Sequence, residues 1–326
     1  MPSTENLIKD IRIEVKHFDL IAPYVLSFGI VSQIDSVQTE IILKNGRKTR
    51  AETVPLPGYS SETTETIVEY LNKVSGLLID KKLPEARSIV EPDIRINSFA
   101  CSPLLTAIDL FDYKIEPVDN KLINFVVPAA SSNLKELDEV IKKLSRQNSN
   151  TVKIKLSGNI NKDIECIKHL EKTDLSTLFI RFDANKAFKY ENARIFYAAL
   201  SKENYVERIH YVEQPLENTA WEEHAALVNE FSSVKTMLDE SIVTMEDLRK
   251  AISIKIPFVK FKLFKQGGIK ELIGQIETAH KNGLKIVLGN GVATLNSNEI
   301  ENVVYNRYKN IIFGASEANG FKKIAS

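Results

Sequence analysis

Cysteine is scarce in this 326-residue chain: it has two, Cys101 and Cys166, and neither lies in a CxxC pair. That excludes a disulfide framework and leaves both as candidate buried small apolar residues. Net charge is also missing. The 43 Lys and Arg balance 43 Asp and Glu, which argues against a nucleic-acid partner held by a broad basic field. No apolar run approaches the ~20 residues a membrane span needs. Residues Met1 to Lys16 are polar and carry no signal-peptide core. The expectation is a cytoplasmic protein with no membrane partner. What is present is 43% hydrophobic residues, enough for a sizeable packed core.

From about residue 122 one pattern recurs: a short β-branched run ends in polar residues, and an amphipathic stretch follows. Strands are expected at Leu122–Pro128, Thr151–Leu156, Leu178–Asp183, Ile209–Glu213, Val234–Asp239, Phe258–Leu263, Lys285–Leu288 and Asn310–Phe313. Helices are expected at Leu134–Leu144, Lys162–Leu170, Asn192–Leu200, Trp221–Phe231, Met245–Ile252, Ile269–Asn282 and Asn298–Tyr305. Strands alternating with helices favour a parallel sheet, and eight strands favour a closed α/β barrel. A doubly wound open sheet would usually carry a glycine-rich loop after its first strand. Here that strand runs into Pro128-Ala-Ala-Ser-Ser132.

The first 120 residues differ. Ile11–Phe18 and Val37–Leu43 alternate like strands, and Asn45-Gly46 signals a hairpin into Lys48–Val54. Ser61-Glu-Thr-Thr-Glu65 offers a helix start running through Leu71, and a second helix is expected over Pro103–Phe111. The expected organisation is an α+β capping domain over residues 1–120 and a modified TIM barrel, (β/α)7β, over 121–326.

Ionisable residues stand at the C-terminal ends of the expected barrel strands, where barrel active sites lie. Strand two reads Val152-Lys-Ile-Lys-Leu156, with Lys153 and Lys155 on one face. Strand three ends Arg181-Phe-Asp-Ala-Asn185, with Asp183 and Asn185 on one face. Strand four ends in Glu213-Gln-Pro, strand five in Asp239-Glu-Ser, and strand six reads Val259-Lys-Phe-Lys-Leu263. Lys155 to Asp183 is 28 residues, Asp183 to Glu213 is 30, Glu213 to Asp239 is 26 and Asp239 to Lys262 is 23. Each step is about one βα unit, so these residues should meet at one level of the mouth. Three converging carboxylates without nearby His or Cys suit a hard cation, Mg2+ before Zn2+. Such an ion would stabilise charge on a carboxylate whose neighbouring carbon loses a proton, with a lysine as base.

At these residues the chain resembles the enolase superfamily, in its muconate-lactonising subgroup. The resemblance implies a barrel lacking its eighth helix beneath an N-terminal cap, and Mg2+ (Mn2+ as an alternative) held by Asp183, Glu213 and Asp239. It implies Lys155 as the base and Lys262, in Lys262-Leu-Phe-Lys-Gln-Gly-Gly268, as its opposite number. Lys260 is the fallback, and Lys265 is expected in an outer or solvated position. Lys153, Asn185 and Glu240 are expected to support the site. Phe28 is expected in a loop that closes over the substrate. Asn290 lies in Leu288-Gly-Asn-Gly-Val-Ala-Thr294, a loop able to offer backbone N–H groups to a carboxylate.

Within the subgroup the signals divide. Pro55-Leu-Pro-Gly-Tyr-Ser-Ser-Glu-Thr63 resembles o-succinylbenzoate synthases, which implies dehydration through a metal-stabilised enediolate. The stretch Lys262–Gly268 resembles dipeptide epimerases, which implies epimerisation of a dipeptide or N-acylamino acid. A muconate-type cycloisomerase is a further alternative. Against an epimerase, the Asp-x-Asp that would hold a substrate amino group is missing from Ile311-Ile-Phe-Gly-Ala-Ser-Glu317. Dehydration is the leading expectation, with a small-molecule carboxylate as substrate; a homo-oligomer is left open. His17, His169, His210, His224 and His280 are scattered and expected to be structural or on the surface.

Overall fold

A computed structural model describes residues 6–26, 29–56, 59–116, 118–119, 123–144 and 150–325. An antiparallel sheet of β1 (Ile8–Leu26), β2 (Gly29–Leu43) and β3 (Lys48–Thr53) comes first. The β2–β3 turn is the Asn45-Gly46 hairpin: Asn45 Oδ1 accepts from the Arg47 amide at 3.0 Å, and Gly46 has φ +85°. The first two strands outrun their expected limits. Towards their far ends residues 21–23 and 29–30 are exposed without alternation, so periodicity could not reveal them. The ladder continues there through backbone pairing, and Phe18, Leu20, Val31 and Ile34 pack it against Val292 and Ile324 beside the barrel mouth.

Helix α1 (Thr64–Leu78) starts from a Thr63/Thr66 capping box, two residues beyond the expected Ser61 start, and buries Ile67, Leu71, Val74 and Leu78. Helix α2 (Leu83–Val90) was not expected: eight residues, about two turns, are too short a stretch to print a clear helical period. Helix α3 (Ser98–Asp109) begins five residues before the expected Pro103 start. Proline suggested a first turn, but the cap comes from a distance, as Glu62 accepts from the Phe99 and Ala100 amides at 3.0 and 2.9 Å.

The second sheet has seven parallel strands in sequence order: β4 (Val127–Ala130), β5 (Thr151–Lys155), β6 (Phe179–Asp183), β7 (Ile209–Glu213), β8 (Thr236–Leu238), β9 (Phe258–Phe261) and β10 (Lys285–Leu288). Helices α4 (Leu134–Leu144), α5 (Ile160–Leu170), α6 (Tyr190–Leu200), α7 (Trp221–Glu230) and α8 (Met245–Ser253) follow β4 to β8 in turn. A short helix α9 (Leu263–Gln266) and α10 (Ile269–Lys281) follow β9, and α11 (Leu295–Arg307) follows β10. Strand β9 therefore ends at Phe261, not at Leu263.

The eighth expected strand, Asn310–Phe313, is not a strand. Segment 312–317 closes the barrel through single bridges instead. Phe313 N donates to Ile286 O at 2.7 Å, Glu317 N to Leu288 O at 3.0 Å and Ser316 N to Asn124 O at 2.8 Å. Gly314 breaks the regular ladder with φ +66°. Close approach here depends on Gly289, at φ +129°, where a Cβ would lie 2.1 Å from Ala318 N.

Alternation along the strands builds two separate surfaces. Val152, Ile154, Ile180, Phe182, Val212, Val259 and Ile286 face outward into the helix layer. Facing inward, Tyr211, Met237, Phe258 and Val287 form an apolar floor with Phe313. The cap is keyed to the barrel by two buried carboxylates at helix N-termini. Asp109 accepts from Lys270 N of α10 at 2.9 Å, and Glu52 accepts from Ser297 N of α11 at 3.2 Å and from the Thr294 hydroxyl. Both cysteines are buried thiols, and no described helix is long and apolar enough to cross a membrane.

Candidate active site

Above the apolar floor the strand ends enclose a cleft of about 700 Å3, mouth included, roofed by Val54, Leu56, Tyr59 and Phe99 of the cap. Lys153, Lys155, Asp183, Asn185, Glu213, Asp239, Lys262 and Asn290 all line it. The expected convergence is therefore present, with one refinement. Lys155, Asp183 and Glu213 are paired across β5, β6 and β7, but Glu213 pairs with Met237 and Met237 with Phe258. Asp239 and Lys262 thus stand two and four residues further along their strands. Strand stagger in a closed barrel brings them to the same mouth despite that offset.

On one side, Lys155 Nζ donates to Asp183 Oδ2 at 2.5 Å and to Asn185 Oδ1 at 2.9 Å. Asn185 in turn donates to Glu240 Oε1 at 3.3 Å, and its own amide donates to Asp183 Oδ1 at 3.1 Å. Opposite, Lys262 Nζ reaches Asp239 Oδ2 at 2.5 Å and Tyr59 Oη at 2.9 Å, and it lies 4.4 Å from the Tyr59 ring centroid. The loops behind these groups are held under strain. Asn185 and Gln214 adopt φ +44° and +36°, rare for residues with a side chain. Gln214 is locked there: it donates to Ser241 Oγ at 2.8 Å and accepts from Asp239 N at 2.9 Å, which fixes the Asp239 backbone.

Between the two sides lies a buried ionic layer. Lys153 Nζ stands 2.9 Å from Asp183, 2.6 Å from Glu213 and 2.7 Å from Glu317. Lys260 bridges Glu213 at 3.0 Å and Glu317 at 2.5 Å. Lys265 is buried, unlike a solvated residue, and contacts Asp239 Oδ1 at 2.8 Å and Lys260 O at 2.9 Å.

These contacts set the proton affinities. Burial raises Asp183, but Lys153 and Lys155 outweigh it and hold the carboxyl below its usual range. Burial and the neighbouring Asp183 push Glu213 up to about 7. Burial lowers Lys262, yet Asp239 and Glu240 outweigh it and keep the ammonium charged. Lys265 is brought down to about 8, chiefly by burial.

Among the described residues no three acidic, His or Cys side chains close around one point as they stand, because ammonium groups lie between the carboxylates. The donor chemistry nevertheless fits a hard cation: Asp183, Glu213 and Asp239 are all-oxygen donors on adjacent strands. Glu213 Oε2 lies against Lys153 but accepts no hydrogen bond, which leaves a buried lone pair open.

Other expectations fare differently. Phe28 lies outside the described residues. The loop around Asn290 has little to offer a ligand carboxylate: Gly289 N is spent on Phe261 O, Asn290 N on Glu301 and Val292 N on the Asn290 side chain. Tyr59 and Glu317 were not anticipated as site residues. Arg181 had a signal, sharing a face with Asp183 at period two; it donates to Glu317 Oε1 at 2.9 Å. Glu317 was the one acid in the closing segment, and only the fold shows that it points inward. His210 and His224 are structural, the former stacked 4.6 Å from Phe179 and the latter buried against Ala220 O.

Comparison with known proteins adds the family context. Residues 136–304 match the family described as Enolase C-terminal domain-like. An L-Ala-D/L-Glu epimerase from Francisella tularensis subsp. novicida is 22% identical over 297 residues, covering 86% of this chain and 82% of that protein. The substrate-liganded L-Ala-D/L-Glu epimerase of Bacillus subtilis superposes with a TM-score of 0.82 at 19% identity, covering 98% of this chain and 92% of that one. The dipeptide epimerase of Enterococcus faecalis V583, complexed with Mg and L-Leu-L-Tyr, gives 0.78 at 18% identity, with 97% and 90% covered.

Proposed function

The chain belongs to the Enolase C-terminal domain-like family, and from that premise we propose that it epimerises or racemises a small carboxylate at its α-carbon. The observation that carries this reading is the pair of opposed lysines. Lys155 and Lys262 enter one cleft from strand ends on either side of Asp183, Glu213 and Asp239. Mg2+ held by those three carboxylates would neutralise the substrate carboxylate and the negative charge that develops on it.

The chain's own residues supply the rest. A substrate α-carbon seated between the two Nζ atoms loses its proton to one lysine and regains one from the other, on the opposite face. Asn185 aims Lys155 through its 2.9 Å contact, and Glu240 in turn orients Asn185. Tyr59 and Asp239 aim Lys262. The apolar roof of Val54, Leu56 and Phe99 limits water access, which strengthens the charge interactions beneath it.

The epimerase relatives support this reading ahead of dehydration, although dehydration begins with the same abstraction. The test is proton NMR in D2O with Mg2+ across N-acylamino acids and dipeptides, beside a cyclohexadiene carboxylate that would dehydrate to o-succinylbenzoate. Deuterium entering the α-position with inversion, lost on adding EDTA, is the expected result. Dehydration without α-exchange would replace epimerisation, and neither reaction from Mg2+-loaded protein would overturn the proposal.

A further inference from the structure

Lys262 stands where the sheet no longer holds the chain. Strand β9 ends at Phe261, which pairs with Leu288, and among the described residues no ladder pair includes Lys262. Lys155 differs, since its backbone is paired with Ala130 on β4 and with Asp183 on β6. A lysine ammonium rides on a flexible four-carbon stem, so its aim depends on how firmly the backbone beneath it is fixed. At Lys262 that fixing has to come from outside the sheet.

Two buried side chains supply it. Lys262 N donates to Gln266 Oε1 at 2.7 Å, and Gln266 Nε2 donates to Ile242 O at 2.8 Å, in the loop that follows Asp239. Leu263 N donates to Glu301 Oε1 at 2.9 Å. Glu301 comes from α11, and its other oxygen accepts from Asn290 N at 3.1 Å and from Asn298 Nδ2 at 3.0 Å. Gln266 and Glu301 are each 1% exposed.

A carboxylate at position 301 has a chemical reason. Its described hydrogen-bond donors are all neutral N–H groups, and among the described residues no cation pairs with it. Burying a carboxylate without a cation is unfavourable. A position that served packing alone would be apolar, as Ile300 and Val304 of the same helix are. The carboxylate offers two accepting oxygens at once, one for the peptide after Lys262 and one for the loop of Asn290. An amide side chain has a single accepting oxygen and could not serve both.

Resting on the two-lysine reading above, we propose that Glu301, assisted by Gln266, is the positioning residue of Lys262. Together they fix the two peptide groups that flank Lys262, so that its Nζ is held towards the substrate α-carbon. Glu301 therefore acts on one of the two proton transfers and spares the one that Lys155 performs.

The test pairs a spectroscopic readout with a kinetic one on the full-length protein. Lysine-selective 13C NMR is recorded with the Lys155 and Lys262 signals assigned from the Lys155→Ala and Lys262→Ala variants. Uptake of α-deuterium in D2O with Mg2+ is followed from N-acetyl-L-leucine and N-acetyl-D-leucine, and from L-alanyl-L-leucine and L-alanyl-D-leucine. In Glu301→Gln the Lys262 signal should shift or broaden while that of Lys155 stays. Exchange should slow at least about tenfold, in kcat more than in KM, from the same enantiomer that Lys262→Ala slows. From the other enantiomer it should stay within a few-fold. Gln266→Met removes the acceptor on the Lys262 amide and carries the same test if Glu301→Gln does not fold. Equal slowing from both enantiomers, unchanged rates from both, or an unmoved Lys262 signal would overturn the assignment. A displaced Lys262 signal in the variant, with no wild-type exchange on any of the four ligands, would uphold the positioning role and sink the epimerase reading. Wild-type exchange with an unmoved Lys262 signal would do the reverse.

Discussion

The two lysine arms of the cleft reach the same point by different means. Among the described contacts of Lys155, barrel groups position it: Asp183 and Asn185 accept from its Nζ. Lys262 is positioned half by the barrel, through Asp239, and half by the cap, through the Tyr59 hydroxyl and ring. The described contacts of the Lys155 arm lie within the barrel. The other gains its Tyr59 contacts only with the cap docked, which the contacts of Glu52 and Asp109 with α11 and α10 secure. On the proposed two-base reading, one of the two lysines leans on a second domain.

The largest effect should come from removing what the arms share. Glu213 contacts both central lysines and neither arm, so Glu213→Gln should abolish turnover for either substrate enantiomer alike. A steady-state assay should show a loss above ~10^3-fold, the scale of removing an essential electrostatic stabiliser. Unequal losses for the two enantiomers would show that the arms do not share it.

A smaller and one-sided effect is expected at Tyr59. Tyr59→Phe keeps the ring over Lys262 and removes the hydroxyl, so only the Lys262 arm should slow, by about tenfold for a lost hydrogen bond to a charged group. Comparing α-exchange rates from the two enantiomers reads this directly. Equal slowing from both would place Tyr59 in substrate binding instead.

The smallest effect lies outside both arms and serves as a control. Burial holds His224 down to about 4 from 6.5, its Nε2 is unpaired, and it sits in α7 away from the cleft. Between those values the unfolded chain takes up a proton that the native state refuses. The stability linked to the neutral ring is therefore present above pH 6.5 and lost as pH falls towards 4. Denaturant melts at pH 7 and 4.5 should show the wild type losing about 2 kcal/mol more than His224→Gln. The enantiomer ratio should not move in that variant.

Much of the barrel was legible because its strands alternate a helix-facing apolar side with an inward polar side, and the charged ends recur once per βα unit. That Lys155, Asp183, Glu213, Asp239 and Lys262 meet around one cleft followed from that recurrence. Residues whose place depends on non-local closure were not legible. Glu317 sits in a segment with no regular strand, Tyr59 in the loop between β3 and α1, and the start of α3 is set by Glu62, which is 36 residues ahead of Ser98. The far ends of β1 and β2 also escaped detection, since residues 21–23 and 29–30 are exposed and print no alternating pattern.

The most direct test of the two-arm account is α-deuterium exchange with each enantiomer separately, in Lys155→Ala and in Lys262→Ala. Each variant should lose net epimerisation by ~10^2–10^4-fold, the range for removing a general acid–base group. Each should keep exchange for one enantiomer only, and the retained enantiomer should be opposite in the two variants. Loss of all exchange in Lys155→Ala together with full two-handed exchange in Lys262→Ala would contradict the account and leave Lys155 as the single base.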